Sequence, residues 1–308
     1  MNATDPPELP RPRVAIALAA RNGGRYIREQ ILSLLWQEDC EVTVHIRDDG
    51  STDGTQAIVA AMAGEHPGRI TLVEDGLGAS GSAAQNFFLL LIAMREAACD
   101  YVALADQDDI WDARKLSHAI AMLRETDAGG LSANLIAFSI DGPPPMRIAK
   151  HQQTVAYDHL FQTASAGCTY VLTRELFALV AERLSDNQPN PDIAHDILIY
   201  AVARSHGFGW HHDPAAHVLY RQHGGNLVGS RAGLAGLNAR WRLIRSGWYR
   251  KQTAMLAPYL PRDGAERRVI DKVARGSWRD RLWLAANARR CRRRGRDAIA
   301  FAIVQLLS

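Results

Sequence analysis

Strand-length apolar runs alternate with stretches of helical periodicity through the first half of the chain, and that order leaves few folds open. VAIALA (14–19) precedes YIREQILSLLWQ (26–37), where Ile27, Ile31, Leu34 and Leu35 fall at helical spacing. VTVHIR (42–47), TQAIVAAMA (55–63), ITLV (70–73), SAAQNFFLLLIAMREA (82–97) and YVALA (101–105) continue the alternation, and another helical pattern covers 113–123 with Asp112 as its expected N-cap. Strands separated by helices need crossover connections, so the pattern predicts an α/β fold: a mostly parallel, Rossmann-like central sheet flanked by helices. The second half is less regular. LIAFSI (135–140) and CTYVLT (168–173) read as strands, RELFALVAERL (174–184) and AHDILIYAVARS (194–205) as helices, and DGPPPMR and DNQPNPD as loops.

Charge divides the chain. Residues 231–308 hold 19 Lys and Arg against 5 Asp and Glu, a balance of +14, whereas residues 1–230 carry −11. An acidic body suits a site that handles cations, and a basic end suits anionic partners. The expected organisation is a disordered, proline-rich N-terminus (1–11), one body (12–230) and a basic helical C-terminal region (231–308). No apolar run approaches the roughly 18–20 residues that span a bilayer. The four cysteines show no CxxC spacing and no leader-like segment opens the chain, so a cytoplasmic setting is expected. For the C-terminal stretch RLWLAANARRCRRRGRDAIAFAIVQLLS two readings stand: a helical hairpin packed on the body, or a peripheral anchor in which Trp283, Leu284 and the final apolar run enter an anionic membrane surface. Few aromatics interleave the arginines, which argues against nucleic acid.

Carboxylates crowd where strands end. ADQDDIWD puts Asp106, Asp108, Asp109 and Asp112 within seven positions after YVALA, a costly arrangement unless a cation neutralises it. In open α/β sheets that edge is where ligands bind. Hard carboxylate oxygens two residues apart suit Mn²⁺ or Mg²⁺ bridging a diphosphate. RDDGSTDGT (47–55) repeats the theme after another strand: one of its acidic residues caps or turns the chain, and another is free to bind a nucleoside. GLGASGSAAQN (76–86) reads as a flexible loop entering a helix whose N-terminus suits phosphate. No GxGxxG fingerprint follows the first strand, where ARNGGRY has Gly23 and Gly24 adjacent, and a Walker A sequence is absent, which argues against dinucleotide enzymes and P-loop ATPases. His211, His212, His217 and His223 match no zinc spacing, and Trp111 is expected to pack beneath the acidic loop.

DDGSTDGT, ADQDDIW some fifty residues later, HD on a helix and YRQHGGN together resemble the family 2 glycosyltransferases, and among them bacterial rhamnosyltransferases that build O-antigen and other surface polysaccharides. The resemblance covers about residues 12–230. It implies a GT-A fold and a nucleoside diphosphate sugar donor, dTDP-L-rhamnose foremost, with a saccharide or lipid-linked acceptor. Ala20 and Asn22 match positions near the base, and Asp49 the carboxylate that pairs with a pyrimidine. Asp106 and Asp108 match the outer members of the DxD motif, Asp108 as direct metal ligand. Asp196 matches the catalytic base of an inverting transfer, and His223 a histidine beside metal or diphosphate. His195 departs from the acidic residue often found there and has no assigned role. A catalytically silent nucleotide- or carbohydrate-binding protein on the same fold is the competing reading; a nucleotidyltransferase would want a basic glycine-rich loop, of which AARNGGRY supplies little. Oligomeric state is left open, a homodimer included.

Overall fold

A computed structural model of the protein describes residues 10–140, 142–188, 190–223 and 248–307. The strands β1 (Arg13–Ala20), β2 (Glu41–Asp48), β3 (Ile70–Leu72) and β4 (Tyr101–Asp106) lie side by side in parallel, in the order β3-β2-β1-β4. The helices α1 (Ile27–Leu35), α2 (Thr55–Glu65) and α3 (Ala83–Ala93) supply the crossovers. This half matches the alternation read from sequence.

Packing explains why these strands pair as they do. On β1 the large side chains Val14, Ile16 and Leu18 face one core and Ala15 and Ala17 the other, while on β4 the pattern inverts, with Val102 and Leu104 opposite Ala103 and Ala105. The register sets Ile16 beside Ala103 and Ala17 beside Leu104, so each face meets a large residue next to a small one. Alternating volumes fill the interlayer space without voids. One core holds α1, α2 and α4 (Lys115–Thr126); the other holds α3, α5 (Arg174–Asn187) and α6 (His195–Ser205).

Beyond β4 the sheet becomes mixed. The short β8 (Val171–Thr173) runs antiparallel to both β4 and β6 (Gly130–Phe138), β6 pairs in parallel with β9 (Trp210–Arg221), and β5 (Ile110–Trp111) and β7 (Met146–Ile148) add antiparallel edges. Strand β9 is absent from the sequence reading. Its run WHHDPAAHVLYR is polar, and the register skips at Pro214, where a ring without an N–H sits at a bulge instead of breaking the ladder. Asp112 is not the N-cap of α4; Arg114 holds that position, and the Asp112 carboxylate accepts from the Arg114 amide (3.0 Å) one turn earlier.

The boundary expected at residue 230 lies outside the described residues, as does most of the N-terminal segment. Past it, α7 (Trp248–Met255), α8 (Ala265–Arg275), α9 (Trp278–Ala286), α10 (Ala288–Cys291) and α11 (Gly295–Leu307) pack on the body, with Leu256, Val269, Leu284, Cys291 and Phe301 in the same core as α3, α5 and α6. Leu284 and Phe301, expected at a membrane, are therefore interior; the exposed apolar residues are Trp278, Leu282, Ile299, Ile303, Leu306 and Leu307. Charge pins this docking. Asp158, fully buried, lies 3.4 Å from Arg293 and 3.5 Å from Arg204 and accepts from the Tyr200 hydroxyl (2.9 Å).

Removing one partner of a buried pair strands the other, so Asp158→Asn is expected to cost about 3–5 kcal/mol in denaturant unfolding. His212, against Arg293, is pushed down to about 3 by burial first and by Arg293 second. A folded pKa below the unfolded value of about 6.5 means the unfolded chain takes up the proton first, so this contribution is present above about 6.5 and lost as pH falls toward 3. Melting temperatures of wild type and His212→Gln across that window should therefore converge as pH falls.

Candidate active site

The β1–β4 register brings Ala19 beside Asp106, and the β1–β2 register brings Ala20 beside Asp48. The loops after all three strands consequently open on one edge of the sheet, the ligand edge of an open α/β fold.

At the β2 end, Asp49 is almost fully buried. One oxygen accepts from Arg47 (3.2 Å) and the Ser80 amide, the other from Arg21 (3.2 Å) and the Gly81 amide (3.1 Å). Burial pushes this carboxyl up, and the hydrogen bonds from Ser80, Gly81 and Arg47 outweigh it, so its pKa lies below the ordinary carboxylate value. Arg47, also buried, reaches Asp75 (2.7 Å), Asn86 (3.0 Å) and the Gly78 carbonyl (2.9 Å). The glycine-rich stretch 76–81, read as a flexible loop, is thus tied at three points to the strand ends, and Ser82 caps α3 by accepting from Gln85 (3.1 Å). Asn22 adopts a left-handed backbone (φ +50°) and bridges to the β2 loop, donating its amide to Ser51 (2.7 Å) and accepting from the Thr52 amide (2.9 Å). Ala20 is buried, its carbonyl accepting from the Asp49 amide (2.8 Å).

The acidic loop is held by its backbone. Along α1 and the residues after it, Gln30, Ser33 and Gln37 form a buried polar stripe at helical spacing. Gln30 donates to the Asp106 carbonyl (2.9 Å), Ser33 accepts from the Trp111 amide (3.1 Å), and Gln37 donates to the Asp112 carbonyl (2.9 Å) and accepts from Leu116 (3.0 Å). Gln107, between the two aspartates of the DxD motif, exchanges hydrogen bonds with Arg21, accepting at 2.7 Å and donating at 2.8 Å. A Cβ on Gly23 would stand 2.5 Å from Gln107 Oε1, so this approach requires glycine there. Trp111 packs beneath the loop with Lys115 Nζ 3.4 Å from its ring centre.

The missed strand β9 delivers the remaining parts. Pairing of Ile110 with Leu219 stitches it to the acidic loop. Arg221 then donates through its amide to Asp109 (3.1 Å), through Nε to the Asp108 carbonyl (2.9 Å) and through Nη2 to Glu29 (2.5 Å), and His223 Nε2 meets Asp108 Oδ2 at 2.7 Å. The other histidines of that span diverge, His217 toward Asp112 (3.4 Å) and His212 toward Arg293 (3.2 Å), so no shared site forms among them.

Negative charge accumulates in the centre. Asp106 is pushed up to about 7 by burial, then by Asp108 and Asp196. Asp109 is raised further, by burial and then by Asp106 and Asp108, and its Oδ2 is buried with no hydrogen-bond partner. Ligand atoms of Asp106, Asp109 and Cys168 lie within 4.8 Å of one another. Hard oxygen donors in excess, one of them unsatisfied, fit a divalent cation. Asp109, Arg221 and Gln107 carry no role in the sequence reading. The stripe at 30, 33 and 37 is the visible signal for the loop's support, and Arg221 stands inside the motif YRQHGGN, of which only His223 was given a role.

Asp196 stands in the first turn of α6, near enough to raise Asp106. His195 before it is half-buried, stacked on Phe87 at 4.2 Å and set against Gly167, where any Cβ would collide with its ring.

The model of the Glycosyl transferase family 2 matches residues 15–178. The chain belongs to that family. It is 31% identical to the dTDP-rhamnosyl transferase RfbG of Shigella flexneri, over 94% of this chain and 99% of that protein. It is also 27% identical, over 53% of this chain and 61% of the relative, to the UDP-Glc:alpha-D-GlcNAc-diphosphoundecaprenol beta-1,3-glucosyltransferase WfgD of Escherichia coli. The fold is shared with S. aureus TarS 1-349 in complex with UDP-GlcNAc (TM-score 0.55, 17% identity, 96% of this chain and 91% of that one). It is likewise shared with the mannosyltransferase PcManGT of Pyrobaculum calidifontis in complex with GDP-Man and Mn2+ (TM-score 0.53, 22% identity, 97% and 75%). The protein is a glycosyltransferase of GT-A architecture.

Replacing Gln30 by Leu leaves the Asp106 carbonyl without the Gln30 donor, at an expected cost of about 1–3 kcal/mol. Urea unfolding measures this; an unchanged midpoint would contradict the loop-anchoring role.

Proposed function

We propose that this glycosyltransferase moves L-rhamnose from dTDP-L-rhamnose to a saccharide or lipid-linked acceptor in bacterial surface polysaccharide synthesis, with inversion at the anomeric carbon. The donor rests on the likeness to a dTDP-rhamnosyl transferase along nearly the whole chain. The observation that carries the chemistry is the convergence of Asp106, Asp108, Asp196 and His223 at the strand edge. Asp49 and the loop of Ala20 and Asn22 would face the base, and residues 12–230 would form the catalytic unit with 231–308 as its basic helical companion. Asp49's present bonds to Ser80 and Gly81 imply that base pairing requires the 75–81 segment to give way.

A cation, Mn²⁺ or Mg²⁺, would be held by Asp108, Asp106 and His223 and would neutralise charge on the departing diphosphate. Asp196 accepts the acceptor hydroxyl proton as that oxygen attacks the anomeric carbon; the bond from that carbon to the diphosphate breaks, and the diphosphate leaves with the electron pair. Asp196→Asn is expected to lower transfer from dTDP-L-rhamnose by roughly 10²–10⁴. Near-normal turnover in a radiolabel transfer assay would remove the assignment.

A peripheral position on the inner face of the cell membrane is supported by the exposed residues Trp278 (70%), Leu282 (52%), Ile299 (62%), Ile303 (43%), Leu306 (60%) and Leu307 (78%) on α9 and α11, helices that also carry Arg279, Arg281 and Arg296. Liposomes of anionic lipid should pellet the wild type and release Leu282→Ser/Ile303→Ser. Equal pelleting, or a concentration-dependent dimer buried at that face, would overturn this placement.

A further inference from the structure

Helix α6 begins without a capping side chain: Ala194 is its N-cap, and the first turn carries Asp196. A helix start that lacks a cap needs its orphan amides and its position secured by other means. Two of the groups that secure it come from the C-terminal helices. Gln252, nearly fully buried on α7, accepts from the Ala194 amide (3.4 Å) and donates to the Asp192 carbonyl, bracketing the residues just before the helix.

The second route is longer. Arg293, beyond α10, ion-pairs with the buried Asp158 and donates to the carbonyls of Thr163 and Ala164 (3.2 Å for the latter). Thr163 Oγ1 lies 2.8 Å from the Tyr170 hydroxyl, which also accepts from the Ala164 amide (3.1 Å) and donates to the backbone carbonyl of Asp196 (3.2 Å). Tyr170 is fully buried. Every link is a named hydrogen bond between buried or half-buried groups, so displacement of Arg293 is passed to the backbone of Asp196 with little slack.

We infer that Arg293 and Gln252 are positioning residues for the transfer, and that the C-terminal helices complete the mount of Asp196 through Tyr170 and Ala194. The inference rests on the reading of Asp196 as the base. It makes the basic region part of the catalytic unit, independent of any membrane it meets. Donor binding draws on the β1, β2 and β4 loops, which neither route touches, so the two functions should separate in kinetics.

The experiment uses the full chain with Tyr170→Phe, Arg293→Lys and Gln252→Ala. Lysine keeps the charge toward Asp158 but cannot serve both the Thr163 and Ala164 carbonyls. Misplacing a catalytic group by about 1 Å costs up to roughly a hundredfold, so Tyr170→Phe should lower kcat about tenfold or more while donor Kd by calorimetry stays within about twofold. Arg293→Lys and Gln252→Ala should shift kcat in the same direction with KM for donor preserved. Unchanged kcat in the folded variants, or kcat and donor affinity falling together, overturns the inference. If Tyr170→Phe does not fold, Gln252→Ala, which leaves the Tyr170 contacts intact, decides. Asp196→Asn distinguishes the two readings: near-normal turnover there removes the base assignment itself, whereas a crippled Asp196→Asn beside unaffected Tyr170→Phe and Gln252→Ala removes only the mount.

Discussion

Like charges repel, and the loop at residues 106–112 holds four carboxylates together while its backbone is bonded from beneath and from β9. Gln30, Ser33 and Gln37 take up its carbonyls and amides from beneath, Gln107 ties it to the β1 loop, and Arg221 reaches across from β9. None of these contacts uses the carboxylates of Asp106 or Asp108. The arrangement holds the chain rigid and leaves the charge available, which is what a site that binds through a cation needs.

The same economy appears at the β2 end, where Arg47 is the counter-ion. It anchors Asp49, Asp75 and the glycine-rich segment together. Both oxygens of Asp49 are thus bonded within its own chain, to Arg47, Arg21 and the amides of Ser80 and Gly81. On the far side of Asp196, buried Asp158 does for the C-terminal helices what Arg47 does for the loop. Both devices place a charged group where truncating its partner is costly, and both fix geometry around a helix or strand end that carries chemistry.

Legibility in the sequence followed burial. The β1–β4 alternation was plain because strands covered on both faces are continuous apolar runs, and the acidic clusters stood out because they interrupt such runs. Asp108 and Asp196 lie near enough to Asp106 to raise it, and His223 meets Asp108. Strand β9 was not legible: half-exposed, rich in histidine and broken by Pro214, it carries neither period 2 nor an apolar run, and with it the reach of Arg221 to the acidic loop went unread. The apolar residues of the C-terminal helices were visible but not their direction, because Leu284 and Phe301 face the core while Leu282 and Ile303 face outward, a distinction that depends on which helices pack beside them. His195 was opaque for a similar reason, its partner Phe87 lying over a hundred residues away.

The central claim is that the crowded carboxylates after β4 form a cation-dependent donor site. Calorimetric titration of dTDP-L-rhamnose into wild type and Asp108→Ala, with Mn²⁺ and with chelator, tests it most directly. The account predicts binding to wild type that requires the cation and is lost in Asp108→Ala. Equal binding with chelator, or undiminished binding by the variant, would contradict it.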